Sequence, residues 1–168
     1  FLLYPKETLP FVIQSHIDFF DDIQRVPKEI VYDNLKTVVN NARTKEINEV
    51  FLRFSLNYCF SIRICNPSSP EEKGTDEESI GFVRNRIFSE RDSFRDIDEA
   101  NDYIRSKLRD INNSSVYRRD LTPLDALKKN VDKLNPLPSL RYDNFILETR
   151  CLNRYYQITF ERNWYSVP

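Results

Sequence analysis

The sequence predicts an α/β fold, and three observations carry that expectation. Over the first part of the chain the apolar residues switch between period two and period 3.6, in the order strand, helix, strand, helix, strand. The run Ile30-Val31-Tyr32 stops abruptly on Asp33-Asn34, as a buried strand does when it ends at a sheet edge. The segment after Asn144 is rich in β-branched and aromatic residues with turn residues between them, which predicts a separate small β-unit.

Phe1–Tyr4 reads as a strand ended by Pro5. Leu9, Val12, Ile13, Ile17 and Phe20 then recur at helical spacing, predicting an amphipathic helix entered at Thr8 or the acid before it. Val26-Pro27 breaks that pattern, and Glu29–Tyr32 is the next strand. Residues 40–45 are polar and loop-like. Ile47, Val50, Phe51, Phe54 and Tyr58 predict a second helix, with Thr44 as its N-cap. Phe60–Cys65 alternates as a strand does. Residues 66–74 form a Pro-rich polar loop, followed by helical spacing through Glu77, Ile80, Gly81, Val83, Arg84 and Ile87.

After a connector at Phe94–Asp98, Ala100, Ile104, Leu108 and Ile111 predict a helix capped by Asp96 or Asp98. Asn112–Leu121 is a basic polar link, and Thr122-Pro123 starts a helix that runs out near Asn130. The prolines of Asn135-Pro136-Leu137-Pro138 mark a linker. Phe145–Cys151, Tyr155–Phe160 and Trp164–Val167 predict strands, with tight turns at Asn153-Arg154 and Arg162-Asn163. Phe51, Phe54 and Phe82 read as core packing, and Trp164 as core of the β-unit.

Composition narrows the function classes. With 168 residues, the chain can bury one sizeable core and carry a small appended unit. Its 25 basic and 26 acidic residues leave a net charge of -1, so any nucleic-acid surface has to be local. No apolar run approaches the ~18 residues of a membrane span, and no signal peptide is visible. The chain starts at Phe1 and contains no Met, so it reads as a piece of a longer protein. Cys59 and Cys65 are expected on one face of a strand, roughly 20 Å apart, too far for a shared zinc or a disulfide. Structural thiols in a reducing cytoplasm are the expectation. His16 has no nucleophile near it on its helix and is not expected to be catalytic.

Two places can carry chemistry. Asp33 is either the Asx turn that closes its strand or a carboxylate delivered to a sheet edge, where ligands gather in open α/β folds. The acids Asp76, Glu77 and Glu78 suit a helix N-terminus. Lys73, Glu77 and Arg84 also share one side of that helix, as a metal-holding acid flanked by phosphate-binding bases would. Lys73 leads the candidates for phosphate contact, followed by Arg84, Lys36 and Arg63, with Arg86, Arg118 and Arg119 behind them.

These residues carry a resemblance. The stretch from Val26 to Val39, through Tyr32-Asp33-Asn34-Leu35-Lys36, resembles the second-aspartate motif of IstA-type insertion-sequence transposases, of the DDE/integrase core superfamily. Residues 65–74, followed by Glu77 and Ile80-Gly81-Phe82-Val83-Arg84, resemble their third-acid block. Tyr117-Arg118-Arg119 with Thr122-Pro123 resembles the region after the core, and residues 163–168 resemble a strand of their C-terminal β-domain.

The resemblance implies a partial ribonuclease-H-like (integrase core) layer over residues 1–112, truncated at its N-terminus. A helical connector over 113–138 and the start of a small β-barrel-like domain over 139–168 would follow. It implies that Asp33 and Glu77 are the second and third catalytic acids and hold two Mg²⁺ or Mn²⁺ ions with an aspartate upstream of Phe1. Asp76 stands where the family has an apolar residue, and a register shift would bring Asp76 or Glu78 in place of Glu77. The implied activity is DNA cleavage and strand transfer, with element ends and target DNA as partners, a homo-oligomer on DNA, and an AAA+ helper ATPase. On this reading the chain by itself is catalytically incomplete. The alternative is an inactive remnant or DNA-binding module of the same fold. The unpaired edge of Phe1–Tyr4 or of Glu29–Tyr32 is expected to be a site of association.

Overall fold

A computed structural model describes residues 2–33, 35–41, 44–65, 80–115, 121–145, 149–160 and 162–167. The elements are helix α1 (Leu9–Ile23), strands β1 (Glu29–Tyr32), β2 (Val39–Asn41) and β3 (Glu46–Ile47), helix α2 (Glu49–Tyr58) and strand β4 (Ser61–Ile64). They continue with a helix over residues 80–88 (α3), α4 (Ile97–Asn113), α5 (Pro123–Asn130), a 3₁₀ turn at Val131–Lys133, and strands β5 (Gln157–Phe160) and β6 (Asn163–Ser166).

The core begins with α1. Its buried residues Ile13, Ile17 and Phe20 lie one turn apart, on the stripe that the sequence spacing predicts. That stripe meets Phe51, Phe54 and Tyr58 of α2 and the inward residues of β1 and β4. β1 and β4 pair in parallel, with Tyr32 opposite Ile64, and α2 makes the crossover between them. Alternation along the pair sends Ile30, Tyr32, Ile62 and Ile64 to the core and leaves Glu29, Val31, Ser61 and Arg63 on the outer face. A second, smaller packing unit joins α3 to α4: Ile87, Ala100 and Ile104 are buried, and the Tyr103 hydroxyl donates to the Ile87 carbonyl at 3.1 Å.

Several expectations are corrected. Residues 2–4 form no strand; the side chain of Asn101 on α4 takes the place of a neighbouring strand. Its Oδ1 accepts from the Leu3 N–H at 2.8 Å and its Nδ2 donates to the Leu3 carbonyl at 3.0 Å. Of the loop expected at residues 40–45, residues 40 and 41 belong instead to β2, which pairs antiparallel with β3. That hairpin moves the start of α2, whose N-cap is Asn48 and not Thr44; the Asn48 side chain accepts from the N–H groups of Val50 and Phe51. Cys59 is not in β4. It closes α2 in the left-handed conformation (φ 57°) and is exposed, whereas Cys65 is buried just beyond the strand. Phe82 is 56% exposed, with the Arg86 guanidinium 5.9 Å from its ring, and Trp164 is 62% exposed, so neither is core.

Other expectations hold. Asp96 caps α4 by accepting from the Glu99 N–H, and Thr122 caps α5 by accepting from the Asp125 N–H. The turn at Asn153 is closed by its own Oδ1, which accepts from the N–H groups of Tyr155 and Gln157. β5 and β6 form an antiparallel hairpin across the expected turn at Arg162, which has a φ of 69°. Of the strand expected at Phe145–Cys151, residues 146–148 lie outside the described set and the others are not in a strand. The proline-bearing segment after α5 is anchored on the core. Asn135 and Val26 exchange both backbone hydrogen bonds, at 2.8 and 2.9 Å, and the Asn135 side chain donates to the Cys59 carbonyl at 2.7 Å. Tyr142 packs its ring 5.4 Å from that of Phe54, and the Asn144 side chain donates to the Pro10 carbonyl at 2.8 Å.

Phe54 touches every layer of this core, while Leu56 on the same helix is 68% exposed. Phe54→Ala is therefore expected to cost about 3–5 kcal/mol and Leu56→Ala about 0.5 kcal/mol or less, read from urea unfolding at equilibrium.

Candidate functional site

Asp33 follows the last residue of β1 and is exposed at the carboxyl end of the parallel pair. Its position is fixed from both sides. Before it, the Tyr32 carbonyl accepts from the Cys65 N–H at 2.9 Å, which extends the β1–β4 ladder to the strand end. After it, Leu35 packs against the core, and its carbonyl accepts from the N–H groups of Val38 and Val39 at 2.8 and 2.9 Å. Lys36 is exposed on the outside of that turn. Asp33 thus stands exposed between the buried Tyr32 and the half-buried Leu35.

Tyr32 in turn is held by His16. The His16 Nδ1 lies 2.7 Å from the Val12 carbonyl, which can only accept, so Nδ1 carries the proton. Nε2 is then an acceptor and takes the Tyr32 hydroxyl hydrogen at 2.8 Å. The rings of Phe20, Phe51, Phe54 and Phe60 surround the imidazole at centroid distances of 5.8 to 6.5 Å. Burial pushes the His16 pKa below its ordinary value of 6.5, with the Val12 hydrogen bond acting against the shift. Burial likewise pushes the Tyr32 hydroxyl up, so the pair is neutral at physiological pH. No sequence pattern assigns His16 a role, and its position among aromatic rings supplies one: it ties α1 to the strand that ends at Asp33.

The other candidates fall in different places. Arg63 lies on the outer face of β4, where its Nε is 3.0 Å from Glu29 Oε1 at the far end of β1. Arg84 is exposed on α3 and lines a cleft of about 710 Å³ with Leu3, Ile80, Asn85, Phe88 and Asp92. Glu77 and Lys73 lie outside the described residues, as do Asp76, Glu78, Arg118 and Arg119. Among the described residues no three His, Cys, Asp or Glu side chains converge as a metal site. As a hard oxygen donor at an accessible strand end, Asp33 suits one place in the ligand set of Mg²⁺ or Mn²⁺. Among the described residues no helix is long and apolar enough to cross a membrane.

No family model matches the chain. It is 25% identical over 169 residues to the transposase for insertion sequences IS1326/IS1353 of Pseudomonas aeruginosa, an alignment that covers 98% of the chain. With the transposase for insertion sequence element IS232 of Bacillus thuringiensis subsp. berliner it shares 30% identity over 156 residues, 89% of the chain. With the transposase for insertion sequence element IS21 of Pseudomonas aeruginosa it shares 25% identity over 98% of the chain. The chain spans 33%, 36% and 43% of the lengths of these three relatives.

The buried neutral histidine sets a pH dependence. Because its folded pKa lies below the unfolded value, the unfolded chain takes up the proton first. Stability from this pair is full above about pH 6.5 and is lost as the pH falls below it. Urea midpoints of the wild type are expected to drop between pH 7.5 and 5.5, and His16→Gln to flatten that drop. Equal slopes in the two proteins would rule out His16 as its source.

Proposed function

We propose that the chain is the central part of an IstA-type insertion-sequence transposase with a ribonuclease-H-like core, and that it serves DNA cleavage and strand transfer. The observation that carries this reading is the place of Asp33. The residue that the transposase motif makes a catalytic acid stands at the open carboxyl end of a parallel strand pair, between the anchors Tyr32 and Leu35. Similarity to insertion-sequence transposases along most of the chain supports it.

In this reading Asp33 and Glu77 hold Mg²⁺ or Mn²⁺ together with an aspartate contributed from outside the chain. When bound, such ions would supply activation of the attacking oxygen and stabilisation of the leaving 3′ oxygen. The chain's own part is positioning. Asp33 accepts the cation at a strand end that the His16–Tyr32 pair keeps in register, and Lys36, Lys73 and Arg84 orient the DNA through its phosphates. The element end is cut by hydrolysis; its freed 3′ hydroxyl then attacks a target phosphate, so one phosphodiester bond forms as another breaks. A homo-oligomer on DNA, an AAA+ helper ATPase and a cytoplasmic location complete the proposal.

The test is Mn²⁺-dependent strand transfer by the chain expressed with its flanking coding sequence. Asp33→Asn and Glu77→Gln are each expected to lower the rate by about two orders of magnitude or more, with circular dichroism unchanged. Arg63→Ala, which breaks a partly exposed pair with Glu29 away from the strand end, is expected to change it little. Full activity in either acid variant refutes the assignment.

A further inference from the structure

The isolated bridge between Val26 and Asn135 gathers cations that lie far apart in the sequence. Val26 is fully buried, and the Asn135 side chain donates to the Cys59 carbonyl, so the crossing point is pinned to the core. On one arm Arg25 immediately precedes the bridge and Lys28 follows it two residues later. On the other arm Lys133 ends the 3₁₀ turn two residues before Asn135, and Lys129 occupies the last turn of α5. Consecutive Cα atoms are about 3.8 Å apart and bridged ones about 5.5 Å, so the backbones of Lys28 and Lys133 are at most about 21 Å apart.

The two arms, residues 24–28 and 129–136, carry Arg25, Lys28, Lys129 and Lys133 against one acid, Asp132. The whole chain, by contrast, has 25 basic and 26 acidic residues. Lys28, Lys129 and Lys133 are exposed, and the half-buried Arg25 bonds only the Gln24 carbonyl, at 2.8 Å. Among the described residues no ion pair involves any of the four. Asp21 and Glu29, the acids beside this arm in sequence, are engaged by Arg141 and Arg63. Cations gathered without partners repel one another, and a bound polyanion relieves that repulsion.

The patch also has a fixed relation to Asp33. Lys28 and Asp33 flank β1: the Lys28 carbonyl accepts from the Ser61 N–H, and the Tyr32 carbonyl accepts from the Cys65 N–H. At about 3.3 Å per residue the strand sets their backbones roughly 16 Å apart, the rise of about five base pairs.

We propose that the basic patch around the Val26–Asn135 bridge is a DNA-backbone contact, which holds phosphates of the duplex whose reacting phosphate lies at Asp33. The inference rests on the transposase reading. A phosphate backbone suits this surface because it asks for charge at several points and for no enclosed pocket.

The experiment measures binding of a fluorescein-labelled duplex of about 20 base pairs by anisotropy, using the protein expressed with its flanking coding sequence, between about 50 and 200 mM KCl. Lys28→Gln combined with Lys133→Gln removes one charge from each arm; Lys28→Arg with Lys133→Arg keeps both. Loss of two phosphate contacts is expected to lower the slope of log K against log salt by about 1.8 in the glutamine variant and to leave it unchanged in the arginine variant. Arg53→Gln, on the exposed side of α2, is expected to leave the slope unchanged. The single variants, each with about half the change, give the same reading where the double variant melts below the assay temperature. An unaltered slope in the glutamine variants, with or without a lower melting temperature, leaves these lysines a structural role and overturns the proposal. An equal loss in Arg53→Gln overturns it as well. A wild type without salt-dependent binding overturns both this inference and the transposase reading, whereas wild-type binding with unaltered variant slopes removes the patch alone.

Discussion

The hydrogen bond from the Tyr32 hydroxyl to His16 Nε2 is the constraint on which the rest of the core depends. It is a polar link inside an aromatic cluster, and such a link has few acceptable geometries. A Tyr32 hydroxyl or a His16 nitrogen left without its partner there costs about 1–3 kcal/mol, whereas aromatic rings slide past one another at smaller cost. The Val12 carbonyl fixes which imidazole nitrogen accepts, and the accepting nitrogen fixes where the Tyr32 hydroxyl points. Helix α1 and strand β1 therefore cannot shift by a residue without breaking the pair. β4 and α2 then follow, because Ile64 pairs with Tyr32 and Phe51 meets both rings.

A two-stranded parallel pair is too small to stand alone, and distant parts of the chain close it. Asn135 bridges to Val26 at the entrance of β1, Tyr142 covers Phe54, and Asn101 satisfies the backbone of Leu3. An isolated bridge, an aromatic ring and a side-chain amide replace what a longer sheet would supply. The parts of the chain that look like connectors in the sequence are, in space, the cover of the core.

What was legible in the sequence follows the range of the interactions. Ile13, Ile17, Phe20, Phe51 and Phe54 announce themselves by spacing, because one helix face meets one core. Asp96 and Thr122 are readable because a cap bonds its own first turn. The N-cap of α2 was misplaced because β2 and β3 are three and two residues long, too short for an alternating pattern to show. Phe82 carries helical spacing but lies on a helix that buries Ile87 instead, and periodicity alone cannot choose the face. The role of Asn101 depends on a residue 98 positions away, and no local pattern reveals it.

Asp33 began as either a turn residue or a ligand. Its neighbours carry the backbone bonds around it. The turn is closed by the Leu35 carbonyl, through Val38 and Val39, and the strand by the Tyr32–Cys65 bond. Asp33 stands exposed between these two sets of bonds, at the carboxyl end of the parallel pair. The core that sets this strand end, running from His16 through Tyr32 to Ile64, is built from residues other than the acid itself.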